Sequence, residues 1–359
     1  NAVSKTIGVG ESPSQLAASP DGKTVYVVNA GDKGNSVSVV DAATDTVRGT
    51  IKVGSLPLGV AVAPDGVTAL VSNAGAGTLS ILDLAQGTAT GTIRVGASPA
   101  GIAYTPDGSH AWVANAADLK KPHRGTLSVI DTSDNTVTDT VDVGDNPLSV
   151  AVSADGRWVY AVNSHSLLTS GAGSLSVVDA DSHAVVADIA LGRNPIDLAL
   201  SPDGRVAYVT EFGDDTVAVV DLENRTVSRR IKVGNGPYGI AMSRDGAQAF
   251  VADRQPFGLP ANGDVAVVDL AADSMTAQIR VGGNPTWVVV LDPLPPVCPG
   301  DCDGDGRVAV GELVRGVGLA LGDPAEAGCP AFDTDGDGAV SVSEVLAAVN
   351  AALDGCPAE

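Results

Sequence analysis

Aromatic residues are scarce in this chain: Trp, Tyr and Phe make up only 3% of its 359 residues, while 44% are hydrophobic. The apolar content is therefore Val, Ala, Leu and Ile, set among 43 Gly and 21 Pro. That much small and β-branched apolar residue excludes a disordered chain. Positive charge is also short, with 21 Lys and Arg against 43 Asp and Glu, a formal charge of −22. Phosphate binding needs clustered Lys and Arg, so nucleic acid and anionic membrane surfaces are poor partners. No apolar run nears the roughly 18–20 residues of a membrane span. Cysteine is missing until Cys298; it and Cys302, Cys329 and Cys356 fall in the last 62 residues. An even number packed into a short segment predicts two disulfides and an oxidising compartment. No Cys-x-x-Cys pair or His accompanies them, which disfavours a metal–thiolate site. The chain starts at Asn1 with no basic-then-apolar leader, as expected of a mature product whose signal has been removed.

What is present is a repeat. Val-Gly-x-x-Pro recurs at Val9, Val53, Val95, Val143, Val233 and Val281, with a variant at Leu191, in steps of 44, 42, 48, 48, 42 and 48 residues. Each period holds four short apolar or alternating runs. The first leads into an Asp-Gly turn such as Asp21-Gly22; the third ends in Asp, as at Asp41, Asp83 and Asp131. Runs of this length closed by turn residues are strands, and Asp-Gly between two of them marks a hairpin. Four strands in about 42 residues is the arithmetic of a β-propeller blade.

Ser-Pro-Asp-Gly, Tyr-Val-Val-Asn at Tyr26–Asn29, Trp-Val-Ala-Asn at Trp112–Asn115 and Tyr-Val-Thr-Glu at Tyr208–Glu211 carry a resemblance to the YVTN-repeat β-propeller family over residues 1–291. The resemblance implies an all-β propeller, common among surface-layer and secreted proteins, and says little about activity. The strands of a blade are called A to D, from the inside outwards. Six full sets are then flanked by a lone D run, Ala2–Val9, and a lone A run, Thr286–Leu291. Antiparallel pairing of those two predicts a reduced seventh blade that closes the ring; the alternative is six blades with spare terminal strands, free to pair with another molecule.

The repeated Asp-Gly pairs and strand-end Asp residues are turn chemistry. Departures from the repeat carry more about function. The 48-residue steps insert about six residues between strands B and C of blades three, four and six, all on one face. Lys120, Lys121, His123 and Arg124 stand there in blade three and His165 in blade four. Blade five has Glu211 in place of Asn, then Phe212; blade six has Asp253 and Arg254. Asp197, Tyr238 and Trp287 stand near inner-strand starts. Such a face could hold an anion or a sugar over the central channel; solvated loop residues are the plainer reading. No Cys-x-x-Cys-His string, Gly-x-Ser-x-Gly elbow or phosphate-cradling glycine loop is present, and the four His lie at unrelated repeat phases. Binding is therefore expected in preference to catalysis. Acid–base use of Glu211, Asp197 and His165 stays open.

Residues 292–299 form a stiff, Pro-rich linker to a different segment, residues 300–359. Asp301–Glu312 and Asp333–Glu344 both fit the twelve-residue calcium loop, with Asp at positions 1, 3 and 5, Gly at 6 and Glu at 12. The expected ligands are Asp301, Asp303, Asp305, the Arg307 carbonyl and Glu312 in the first loop. In the second they are Asp333, Asp335, Asp337, the Ala339 carbonyl, Ser341 and Glu344. Calcium is a hard cation that takes six to eight oxygens, so two Ca2+ are expected. Helices are predicted over Glu312–Leu321 and Ser343–Leu353. Loop-then-helix, twice, resembles a dockerin module, from which Glu at position 12 and the Cys set depart. The expectation is a secreted or cell-surface, calcium-stabilised scaffold, adhesion or self-assembling protein. Its partner would meet the calcium module or the terminal strands. The alternative is a propeller enzyme or a receptor for a small ligand or polysaccharide.

Overall fold

The computed structural model describes residues 2–31, 35–116, 125–164, 171–254, 263–291, 308, 313, 317, 320, 332 and 340–354. The chain divides into two units, Asn1–Val290 and Leu291–Glu359.

The first unit is six four-stranded antiparallel sheets, each a meander in sequence order. Blade one is β1 (Pro13–Ala18), β2 (Thr24–Asn29), β3 (Ser36–Asp41) and β4 (Thr46–Lys52). Blade two is β5 (Pro57–Val62), β6 (Thr68–Asn73), β7 (Thr78–Asp83) and β8 (Thr88–Arg94). Blade three is β9 (Pro99–Tyr104), β10 (His110–Asn115), β11 (Thr126–Asp131) and β12 (Thr136–Asp142). Blade four is β13 (Pro147–Val152), β14 (Trp158–Asn163), β15 (Ala172–Asp179) and β16 (Val185–Arg193). Blade five is β17 (Pro195–Leu200), β18 (Val206–Glu211), β19 (Thr216–Asp221) and β20 (Thr226–Lys232). Blade six is β21 (Pro237–Met242), β22 (Gln248–Asp253), β23 (Gly263–Asp269) and β24 (Ser274–Gly282).

The repeated residues explain the repeated shape. Gly282 apart, the Gly of the motif that precedes each inner strand packs on the side chain that ends a strand B: a Cβ on Gly54 would lie 2.5 Å from Asn73 Cγ. Asn73 in turn donates from Nδ2 to Ser80 Oγ at 3.0 Å, stitching strand B to strand C. The A–B turns close on their own Asp: Asp155 accepts from the Arg157 amide at 3.1 Å and also from the Ser153 hydroxyl. Between neighbouring blades, B and C strands interlock in apolar clusters. Trp112, Leu127 and Val129 of blade three meet Val150, Val159 and Val178 of blade four. Strand D is mostly exposed and keeps one inward anchor, Ile51 in blade one and Ile231 in blade five.

Six blades are present, not six and a reduced seventh. Residues 2–9 and 286–290 form no strand. The reason is distance: A and D of one blade stand three strand spacings apart, about 14 Å, so without B and C between them they cannot pair. The N-terminal run instead lies beside blade one, where Lys5 Nζ donates to the Thr44 carbonyl at 3.1 Å. Thr286 stays with the inner strands, its Oγ1 donating to the Ser14 carbonyl at 2.7 Å.

In the second unit the described residues include the helix α1 (Val342–Asp354), and Leu313, Val317 and Ala320 are helical as well. Phe332 and Ala348 are fully buried and pack with Leu313, Val340 and Val345. Leu346, on the predicted apolar stripe, is exposed.

Candidate functional site

The second residue of each inner strand faces the central channel. Ser14, Leu58, Ala100, Leu148, Ile196, Tyr238 and Thr286 line a cavity of about 310 Å3 together with Arg254 and Trp287. Small or aliphatic residues fill the rest of that ring, so the arc around Tyr238 carries the chemistry. Phe212 meets Tyr238 edge-on, with centroids 6.3 Å apart, and Tyr238 meets Trp287 at 6.1 Å. The Arg254 guanidinium lies 5.1 Å from the Tyr238 ring centre, within cation–π range. Burial pushes the Tyr238 phenol above its ordinary range, so it stays a neutral donor. Four of the residues singled out from the sequence, Phe212, Tyr238, Arg254 and Trp287, are thus brought together.

Asp197 and Glu211 have other duties. Asp197 is buried in β17 and ties three blades together: it accepts from Ser149 Oγ at 2.7 Å in blade four and from the Ile240 amide at 3.0 Å in blade six. Burial pushes its carboxyl up to about 6, against those hydrogen bonds. Glu211 is fully buried and takes both Nε and Nη2 of Arg230, at 2.8 and 3.1 Å, with the Gly192 amide and Thr216 Oγ1. It replaces the Asn–Ser stitch of blades one to four by an ion pair. Lys120, Lys121, His123, Arg124 and His165 lie outside the described residues, as do the four Cys and every expected calcium ligand except Ser341 and Glu344. Those two form a capping box on α1: the Ser341 amide donates to Glu344 Oε2 at 2.7 Å, and Ser341 Oγ donates to the same oxygen. Among the described residues no cluster of three His, Cys, Asp or Glu is placed to hold a metal.

One grouping was not singled out as a site from the sequence, although repeat phase puts both of its histidines at turns on the far side from the mouth. His110 opens strand B of blade three and His183 lies in the C–D turn of blade four, yet both line a groove of about 520 Å3 between those blades. His183 Nδ1 is 2.7 Å from Asp139 Oδ2 and its ring meets the Trp112 edge at 5.4 Å. The signal was available in pattern form: adjacent blades bring the A–B and C–D turns to one rim.

The fold and this arc define a six-bladed β-propeller with an aromatic, arginine-bearing channel mouth. A family profile, the choice-of-anchor I domain, matches residues 57–236, half of the chain, and the chain belongs to that family. The description of the family points to a surface-anchored or secreted protein, and no described helix is long and apolar enough to cross a membrane. No curated protein matches the sequence. Among solved structures, a chain of Kuenenia stuttgartiensis hydrazine synthase is similar at 24% identity and a TM-score of 0.69, over 78% of this chain and 90% of that one. At that identity the likeness shows the propeller fold alone.

Proposed function

We propose that this is a calcium-stabilised adhesion or scaffold protein of the cell surface whose propeller grips a neutral polysaccharide at the channel mouth. The observation that carries the reading is the convergence of Tyr238, Trp287 and Arg254, with Phe212 edge-on against Tyr238, on one arc of a channel otherwise walled by small and aliphatic residues. Sugar rings present flat C–H faces to aromatics and hydroxyls to a guanidinium and a phenol. The charge of −22 favours a neutral chain over an acidic one. Asp197 and Glu211, the carboxylates best placed for acid–base work, are spent on structural bonds, Asp197 between blades and Glu211 chiefly within blade five, which favours binding.

The C-terminal unit supports the calcium part of the proposal. The donors of both twelve-residue loops are all oxygen, the chemistry calcium takes. Val340, at position 8 of the second loop, packs with Phe332 and Leu313, and Glu344, at position 12, is folded back on Ser341 at position 9. Asp301, Asp303, Asp305, Glu312, Asp333, Asp335, Asp337 and Glu344 would hold the two ions.

Titration of the full chain with neutral oligosaccharides, followed by the fluorescence of Trp287, tests the mouth. Binding that Tyr238→Ala and Trp287→Ala abolish is the expected result. Binding untouched by both variants, or none across cello-, xylo- and chito-oligosaccharides, overturns it.

A further inference from the structure

We propose that the groove between blades three and four is a second ligand site, which takes an ammonium group with a hydroxyl beside it, as a protonated amino sugar presents. It lies at the end of the propeller away from the channel mouth and does not depend on what the mouth binds.

The floor of the groove carries a donor with nothing to donate to. The groove holds about 520 Å3, within the range of small-molecule sites. The matching groove between blades one and two is smaller, about 390 Å3, and Tyr26 and Arg48 line it. There Arg48 hydrogen-bonds the Tyr26 hydroxyl and donates from Nη2 to Thr24 Oγ1 at 2.7 Å. The polar end of the strand-B aromatic is thus turned into the groove and met by a strand-D side chain. In blade three Trp112 takes the place of Tyr26, facing Val129 as Tyr26 faces Val39. Thr138 takes the place of Arg48, in the same strand-D bulge. It is too short to reach across, and its Oγ1 donates to the Val129 carbonyl at 3.3 Å. Trp112 is 1% exposed, and its Nε1 is the one buried side-chain nitrogen without a partner among the described residues. An indole N–H only donates, so the position is built for an acceptor oxygen.

The walls select what brings that oxygen. His110 and His183 both line the groove, and both are fixed through Nδ1. Ser109 Oγ donates to Asp107, so at 2.9 Å it accepts from His110 Nδ1. Asp139 accepts from His183 Nδ1 at 2.7 Å. Each imidazole is left with Nε2 for a ligand. Asp107, Asp155 and Asp181 stand on the same walls against one guanidinium, that of Arg157, which lies over the Trp158 ring at 4.9 Å. Hydrogen bonds from Thr105 and Ser109 bring Asp107 down to about 2, and the Ser153 hydroxyl holds Asp155 below the ordinary range. Three carboxylates to one guanidinium admit a cation in preference to an anion. The turn carboxylates recur around the ring; the two imidazoles and the open indole do not. A ligand with an ammonium for the carboxylates and a neighbouring hydroxyl for Trp112 Nε1 satisfies both, and a 2-amino sugar carries that pair on a ring that fills the groove.

Calorimetry of the full chain with glucosamine at about pH 7, where the amine is charged, tests the site. One glucosamine per chain is expected. Glucose lacks the charge, putrescine lacks the oxygen and ethanolamine lacks the ring, and each should bind about tenfold more weakly or worse. Trp112→Phe, which keeps a ring and removes the N–H, and Asp181→Asn should each weaken glucosamine roughly three- to tenfold. Tyr238→Ala, at the other end of the channel, should not. The proposal is overturned by no binding of glucosamine, by glucose, putrescine or ethanolamine binding as tightly, or by binding that both groove variants leave intact. Binding that Tyr238→Ala removes would place the sugar at the mouth and overturn it as well. If Trp112→Phe unfolds, Asp181→Asn, at an exposed side chain, still decides.

Discussion

Asp253 and Asp264 stand opposite each other across β22 and β23, at the two positions where blade one sets Asn29 against Ser36. The amide of Asn29 donates to Ser36 and Ser38 hydroxyls; two carboxylates have no proton to give unless one is protonated. Burial pushes Asp253 up to about 7, helped by the charges of Asp264 and Asp215 and opposed by the Gly234 amide. The folded chain thus holds a proton that the unfolded chain releases between about pH 4 and 7. The folded state binds more protons in that window, so stability falls as pH rises through it. Asp253→Asn restores the amide of blades one to four. It should stabilise the chain by about 1–2 kcal/mol at pH 8 and by little at pH 5. Urea denaturation at the two pH values checks this; equal gains at both would remove the argument.

Glu211 is fully buried and its guanidinium partner Arg230 is 43% exposed. Arg230→Ala leaves the carboxylate to the Gly192 amide and the Thr216 hydroxyl alone. After discounting for the solvent around Arg230, the loss should be about 2 kcal/mol, read as a lower denaturation midpoint. Loss of under half a kcal/mol, roughly the scatter of surface substitutions, would show that the Gly192 amide and Thr216 hydroxyl hold Glu211 without Arg230.

Gly101→Ala tests the closeness of the inner strands. Its Cβ would press on the backbone of Leu148 and Ser149, which cannot rotate away as a side chain can. A cost of about 2 kcal/mol is expected from overpacking. Gly49→Ala, where nothing lies within 4 Å of the new atom, is the control and should be near neutral.

Calcium removal should act on one unit only. Three Asp and a Glu crowded in each loop repel without the ion, so a chelator should erase the helical circular dichroism of α1 and leave the β signal of the blades. A helical signal indifferent to chelator and to added Ca2+ would argue against the two sites.

The blades were legible because each strand run is punctuated by residues with a physical job: Asp-Gly for the turn, Gly for the Asn beside it, a Pro at the inner-strand start. The aromatic arc was legible as departures from the repeat, since Phe212, Arg254, Tyr238 and Trp287 share one end of their blades. Asp197 and Glu211 were visible as departures but not in their role. Whether a carboxylate serves a ligand or the scaffold depends on Ser149, Ile240 and Arg230, which lie 48, 43 and 19 residues away in sequence. The missing pairing of the two termini follows from blade width, which a repeat phase does not express.

The turn carboxylates have one further consequence. Asp21, Asp107, Asp155, Asp203 and Asp245 in the A–B turns are all held below the ordinary range, first by the hydroxyl two residues earlier. Asp107 comes down to about 2. Asp41, Asp131, Asp179 and Asp221 in the C–D turns are lowered likewise by their own turn donors. Both kinds of turn lie at the end of the blades away from the channel mouth. The turn carboxylates therefore stay ionised into acid, where free carboxylates have been neutralised.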